Sequence, residues 1–153
     1  MPSINDKAPG FSLPDTSKNR VSLEDYAGKK LVIAFYPAAF TGVCTTELCT
    51  FRDAMADFNG LNAEIVGISV DAPFSNGAFA KANDIEFPLL SDYARETVHA
   101  YGVALENFAG MDGYTASQRA VFIVNEEGSL SYVWIAPNPG VEPNYDEIRA
   151  HLG

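Results

Sequence analysis

The run Leu31-Val-Ile-Ala-Phe-Tyr36, closed by Pro37, constrains this chain more than any other stretch. A charge-free series of β-branched and aromatic residues reads as a strand buried on both faces, which needs packed layers above and below it. Proline stops such a strand. After a short loop, Ala38 to Gly42, a different period begins. Cys44, Leu48, Phe51, Met55 and Phe58 fall at the i, i+4, i+7, i+11 and i+14 steps of an amphipathic helix. Strand, loop and helix meet at Cys44.

That joint suits a reactive thiol. The first turn of a helix has unpaired backbone N–H groups and lies at the positive end of the helix dipole, and both favour thiolate over thiol. Because Cys44 is in line with the apolar stripe, its sulfur is expected to point into a pocket between helix and sheet. Cys49 belongs instead to the flank, with Arg52, Asp53 and Ala56. On an ideal helix, five residues separate two Cα atoms by roughly 8–9 Å and their side chains by about 140°. A disulfide requires Cα atoms within about 7 Å. A bridge between Cys44 and Cys49 therefore requires the first turn or two of the helix to come apart.

The spacing Pro37-x-x-x-Thr41-x-x-Cys44 resembles the active-site motif of the peroxiredoxins, and Cys44-Thr-Thr-Glu-Leu-Cys49 resembles their bacterioferritin-comigratory, or PrxQ, branch. In that branch the second thiol follows the first by five residues. The likeness extends from Asp6-Lys-Ala-Pro-Gly-Phe11 to Arg119-Ala-Val-Phe-Ile-Val124, nearly the whole chain. The loop Ala39-Phe-Thr-Gly-Val-Cys44 also resembles the one-cysteine, AhpE-like members, which lack the second thiol.

With 153 residues and 47% hydrophobic content, the chain fits one domain spanning residues 1–153, with a sizeable core and no internal linker or repeat. The opening MPSINDKAPG lacks the apolar core of a signal peptide, and no segment is apolar for the length of a membrane span, so cytoplasm is the expected location. Twenty acidic against ten basic side chains give a formal charge of −10, which argues against nucleic acid or an anionic lipid surface as partner. Such acidity suits simple solubility or a high-salt cytoplasm. Two cysteines are too few for a secreted disulfide scaffold, and their spacing points to redox chemistry. His99 and His151, far off in sequence, do not complete a metal site with them.

Along the chain, Phe11 to Asp15 and Arg20 to Leu23 alternate around a turn-prone segment and predict a hairpin, after which Ser22 caps a helical turn ending at Gly28. Glu64 to Val70 reads as a second buried, parallel strand, and Asp71-Ala-Pro73 opens a helix to about Asn83. Phe87 to Leu90 suits an edge or irregular segment, and Asp92 is placed as the cap of a helix running through Arg95, Val98 and Tyr101 to Gly102. The loop from Glu106 to Ser117 has no sustained period. Arg119–Val124 and Leu130–Ala136 predict a hairpin, and Asn144 or Asp146 begins a last helix with Tyr145, Ile148 and Leu152 inward. The order βαβα then ββα is that of an α/β, thioredoxin-like fold, a central mixed sheet flanked by helices with an N-terminal hairpin added.

The resemblance implies a thiol-dependent peroxidase that needs no metal or organic cofactor, acts on hydrogen peroxide and small alkyl hydroperoxides, and occurs as monomer or homodimer. Cys44 would become a sulfenic acid; Cys49 would resolve it as an intramolecular disulfide, which a thioredoxin-like or other dithiol donor reduces. Negative charge grows on oxygen as the O–O bond lengthens. By the motif, the Thr41 hydroxyl, the Cys44 N–H and the planar, always-charged Arg119 answer it, Pro37 shields the sulfur, and Glu47 orients the arginine. Taken residue by residue, Thr41 also reads as an ordinary loop hydroxyl, Pro37 as a strand terminator, Arg119 as a surface charge and Cys49 as a space-filling cysteine. His99 reads as a partly buried packing residue, and Phe40 and Trp134 as core or pocket-wall aromatics. Two other functions stay open: a dithiol oxidoreductase, although the Cys-x-x-Cys spacing is absent, and a redox-inert binding module.

Overall fold

Asp15 organises the first turn. In the computed structural model, which describes residues 1–153, its Oδ1 accepts from the backbone N–H groups of Ser17 and Asn19 at 2.8 and 3.0 Å. The flanking residues pair antiparallel as β1 (Ser12–Pro14) and β2 (Arg20–Ser22). A 3-10 turn at Leu23–Tyr26 follows, where the Asp25 carboxylate accepts from Ser22 N at 2.9 Å.

The apolar run then becomes β3 (Lys30–Phe35), and the cysteine stretch becomes α1 (Gly42–Gly60). Next come β4 (Ala63–Ser69), α2 (Pro73–Ala82) and β5 (Leu89–Ser91). The second half contains α3 (Glu96–Ala100), the short β6 (Ala104–Leu105) and β7 (Ala116–Ser117), then β8 (Ala120–Val124), β9 (Leu130–Ile135) and α4 (Tyr145–Leu152). Five strands form one sheet in the order β5-β4-β3-β8-β9. β3, β4 and β5 run parallel, while β8 and β9 join antiparallel, so the sheet is mixed as its sequence pattern predicts.

β3 lies at the centre, which explains its composition. Leu31, Ile33 and Phe35 enter one core with Val66, Ile68, Val98, Tyr101 and Phe122; Val32, Ala34 and Tyr36 enter the other with Cys44, Leu48, Phe51, Phe79 and Ile148. Each fully buried aliphatic or aromatic side chain there contributes roughly 1.5–3 kcal/mol relative to exposure. Gly67 in β4 has a steric cause, since a Cβ there would stand 2.7 Å from Leu89 Cδ2 and 3.2 Å from the Tyr36 ring. At α4, Asn144 rather than Asp146 is the cap, its Oδ1 accepting from Glu147 N at 3.1 Å. Ile148 and Leu152 are buried as expected, and Tyr145 packs against them half-buried.

Three sequence expectations need correction. Asp92 does cap α3, accepting from Thr97 N and Val98 N at 3.2 and 2.8 Å, but the helix starts only at Glu96. Arg95 stands outside it at φ 64°, with its guanidinium bonded to the carbonyls of Thr115 and Tyr93. His99 is exposed rather than packed, with Nδ1 2.7 Å from the Arg95 carbonyl oxygen. Phe40 is 59% exposed, because a left-handed backbone at φ 63° turns it out of the loop, where it meets Phe79 edge-on with centroids 5.3 Å apart.

Candidate active site

Pro37 ends the sheet run at its rim, and residues 38–41 bridge to α1. That bridge is tied down at three points. The Asp71 carboxylate, just beyond β4, accepts from Ala39 N at 2.7 Å; the Thr41 hydroxyl donates to the Ala38 carbonyl at 2.8 Å; and Phe40 leans on Phe79 of α2. Thr41 is the N-cap residue of α1 in extended conformation, and its side chain makes no capping bond. Cys44 therefore sits in the first helical turn, where backbone N–H groups have no intrahelical acceptor.

The Cys44 side chain is fully buried and faces the sheet, and its sulfur lies 3.1 Å from Arg119 Nη2. Arg119 precedes β8, the strand paired to β3, so the strand register delivers the guanidinium to the sulfur. Four of the five N–H groups of the head group have a partner. Nη1 donates to Glu47 Oε1 at 2.9 Å, and Nε and Nη2 both donate to the Pro139 carbonyl at 3.1 and 2.9 Å. Arg119 is only 2% exposed. Burial works against its charge, but the neighbouring Cys44 and Glu47 outweigh that and raise its pKa.

Glu47 lies one turn beyond Cys44 on the inward face of α1, and it too is fully buried. Burial pushes its carboxyl up to about 7 even though Arg119 pulls it down. Its second oxygen, Oε2, has no hydrogen-bond partner. Cys44, Glu47 and Arg119 thus form one contiguous buried polar cluster inside an apolar core.

Above this cluster a cleft of about 250 Å³ opens, lined by Pro37, Thr41, Gly42, Val43, Phe108, Arg119, Pro139 and Gly140. Arg119 is its charged floor. Cys49 is apart from the cluster, half-buried on the helix flank, with its sulfur 3.7 Å from Asn83 Oδ1. Both cysteines are free thiols and α1 is intact around them. No three His, Cys, Asp or Glu side chains converge as a metal site would require. No helix is long and apolar enough to cross a membrane.

Two participants escaped sequence reasoning. Asp71 anchors the loop before Cys44, and its only signal is its place directly after a buried strand. The Pro139 carbonyl has no residue-type signal at all, since any residue supplies a backbone oxygen; the run of prolines at 137, 139 and 143 marks only an irregular segment.

A mixed sheet flanked by helices, with a buried thiol and guanidinium where strand becomes helix, defines a thiol oxidoreductase of thioredoxin-like fold. Comparison with known proteins makes the assignment specific. The AhpC/TSA family model matches residues 4–133. A Coxiella burnetii protein carrying the peroxiredoxin name bcp is 33% identical over 149 residues, 97% of each chain. Among solved structures, peroxidoxin BcpB of Mycobacterium tuberculosis superposes with a TM-score of 0.87 at 28% identity, over 99% of this chain and 97% of that one. Peroxiredoxin Q of Xanthomonas campestris gives 0.81 at 30%, over 93% and 89%. The chain belongs to the AhpC/TSA family, as a peroxiredoxin of the bacterioferritin-comigratory, PrxQ-like branch, and is a peroxidase.

Proposed function

We propose that the chain reduces hydrogen peroxide and small alkyl hydroperoxides through Cys44, with Cys49 as resolving thiol and a thioredoxin-like dithiol as electron donor. The observation that carries this reading is the 3.1 Å approach of Arg119 Nη2 to the buried Cys44 sulfur, with Arg119 itself lining an open cleft. The Cys44 thiolate attacks one peroxide oxygen; an S–O bond forms, the O–O bond breaks, and the second oxygen leaves as water or alcohol after taking a proton. Arg119 stabilises the charge that moves onto that oxygen. The Cys44 N–H in the first turn is a second donor, and the Thr41 hydroxyl is a third once it exchanges the Ala38 carbonyl for substrate. Glu47 and the Pro139 carbonyl keep the guanidinium in place, and Pro37 limits water at the sulfur.

Cys49 then attacks the sulfenic acid, expelling water and leaving a disulfide for the donor to reduce. Two cysteines, too few for a secreted disulfide scaffold, suit a reducing, cytoplasmic compartment. One observation favours a second reading: Cys49 is turned away from the cluster onto Asn83, as a structural cysteine of a one-cysteine enzyme would be. Stopped-flow peroxide consumption separates them. Cys44→Ser is expected to abolish the reaction. Cys49→Ser is expected to keep a single oxidation event but lose turnover with a thioredoxin donor, and unchanged turnover removes Cys49 from the mechanism.

A further inference from the structure

The first nine residues of α1, Gly42-Val-Cys-Thr-Thr-Glu-Leu-Cys-Thr50, are a poor helix by composition. Glycine, valine, three threonines and two cysteines stand against one glutamate and one leucine. Each threonine hydroxyl turns back on the helix: Thr45 onto the Thr41 carbonyl at 2.9 Å, Thr46 onto Gly42 at 3.1 Å and Thr50 onto Thr46 at 2.8 Å. Such back-bonding slightly destabilises and bends a helix. With no side-chain cap either, this stretch stays helical by virtue of what packs against it.

On the side of Cys44 and Glu47, that is Arg119. On the side of Cys49 it is Asn83, the residue that ends α2. Asn83 Oδ1 accepts from Cys49 Sγ at 3.7 Å, and its backbone carbonyl accepts from Arg52 Nη1 at 2.6 Å. Its own Nδ2 is fixed on the Phe79 carbonyl at 3.0 Å. Cys49 and Arg52 lie about one turn apart on the same flank, so Asn83 grips α1 at two successive points. The grip at Cys49 must release before that sulfur can travel; the grip at Arg52 can persist and mark where unwinding stops.

We propose that Asn83 and the threonine-rich start of α1 together set how readily Cys49 leaves its helical place, and so decide whether oxidised Cys44 becomes a disulfide or a sulfinic acid. This inference rests on the resolving role proposed for Cys49, and Asn83 is in it a positioning residue acting through that thiol. Two reactions compete for the Cys44 sulfenic acid. In one, the Cys49 sulfur attacks; an S–S bond forms, the S–O bond breaks, and the hydroxyl leaves with the thiol proton as water. In the other, a second hydroperoxide transfers an oxygen to the sulfur and is itself reduced to alcohol or water. The second rises with peroxide concentration. The first depends on how often α1 opens.

The test is acid-quench mass spectrometry on the reduced chain, following disulfide against sulfinate as hydrogen peroxide is raised. Asn83→Ala is expected to speed disulfide formation about two- to threefold, the low end for one lost hydrogen bond because an S–H is a weak donor, and to move sulfinate formation to higher peroxide. Thr46→Ala, at an exposed position, is expected to slow it about two- to threefold and move sulfinate to lower peroxide. Asn83→Asp keeps an acceptor oxygen toward Cys49 but loses, as alanine does, the donor to the Phe79 carbonyl, so a rate nearer the parent's than the alanine variant's is expected, which a general loosening of α2 would not allow. Equal disulfide rates in the parent, Asn83→Ala and Thr46→Ala, or shifts in the same direction for both, overturn the inference. Failure of the parent chain to oxidise at Cys44, or to form any disulfide, overturns the proposed function instead.

Discussion

Glu47→Gln tests the electrostatics of the buried cluster. The carboxyl is fully buried, holds one bond to Arg119 and has an unpartnered second oxygen, and its pKa rises from an ordinary 4.5 to about 7. A raised carboxyl pKa means that folding favours the protonated form. The stabilisation it brings is complete below about pH 4.5 and is lost as pH climbs through about 7. The full difference corresponds to roughly 3 kcal/mol, most of it between pH 5 and pH 8. Glutamine cannot ionise, so this slope disappears in the variant. Urea unfolding under reducing conditions at pH 5 and pH 8 reads the result. With about 2 kcal/mol per molar for a chain of this size, the parent midpoint should fall relative to the variant's by roughly 1 M across that interval. Parallel midpoints would refute the claim that burial outweighs the arginine at Glu47.

Other expectations follow from the same geometry. Arg119→Ala should lower the rate constant for peroxide reduction about a hundredfold in stopped flow; a loss under about threefold is too small for a charge-stabilising group touching the sulfur. Gly67→Ala puts a methyl 2.7 Å from Leu89 Cδ2 and should cost about 1–3 kcal/mol in chemical denaturation, with an unchanged midpoint refuting the close-approach reading. Asn144→Ala removes the cap on α4 and should cost about 1 kcal/mol, whereas Asn144→Asp should recover most of it.

The elements that sequence revealed are those with a strong period or a distinctive residue. β3 was legible because both of its faces are buried, α1 because its stripe spans about four turns, and Cys44 because it falls where those two patterns meet. The meeting of Arg119 with Cys44 was expected only through family likeness; nothing in the local pattern around Arg119 separates a buried guanidinium from a surface one. Phe40 was misplaced because hydrophobicity predicts burial and says nothing of a positive φ that turns the ring outward. Arg95 misled for the same reason, a left-handed residue inside what reads as a helical period. The ladder between β6 and β7 spans two residues a side, too short for any alternation to show. Asn83 was seen only as a helix end, since its contact with Cys49 comes from packing of α2 on the flank of α1.

Two of the three nitrogens of the Arg119 guanidinium rest on one main-chain oxygen, that of Pro139. A peptide oxygen survives any substitution of the residue that bears it, provided the strap from Pro137 to Pro143 keeps its course. That strap is therefore free to drift in side-chain chemistry while staying rigidly constrained in shape. Insertions or deletions there should silence the enzyme where exchanges of residue do not.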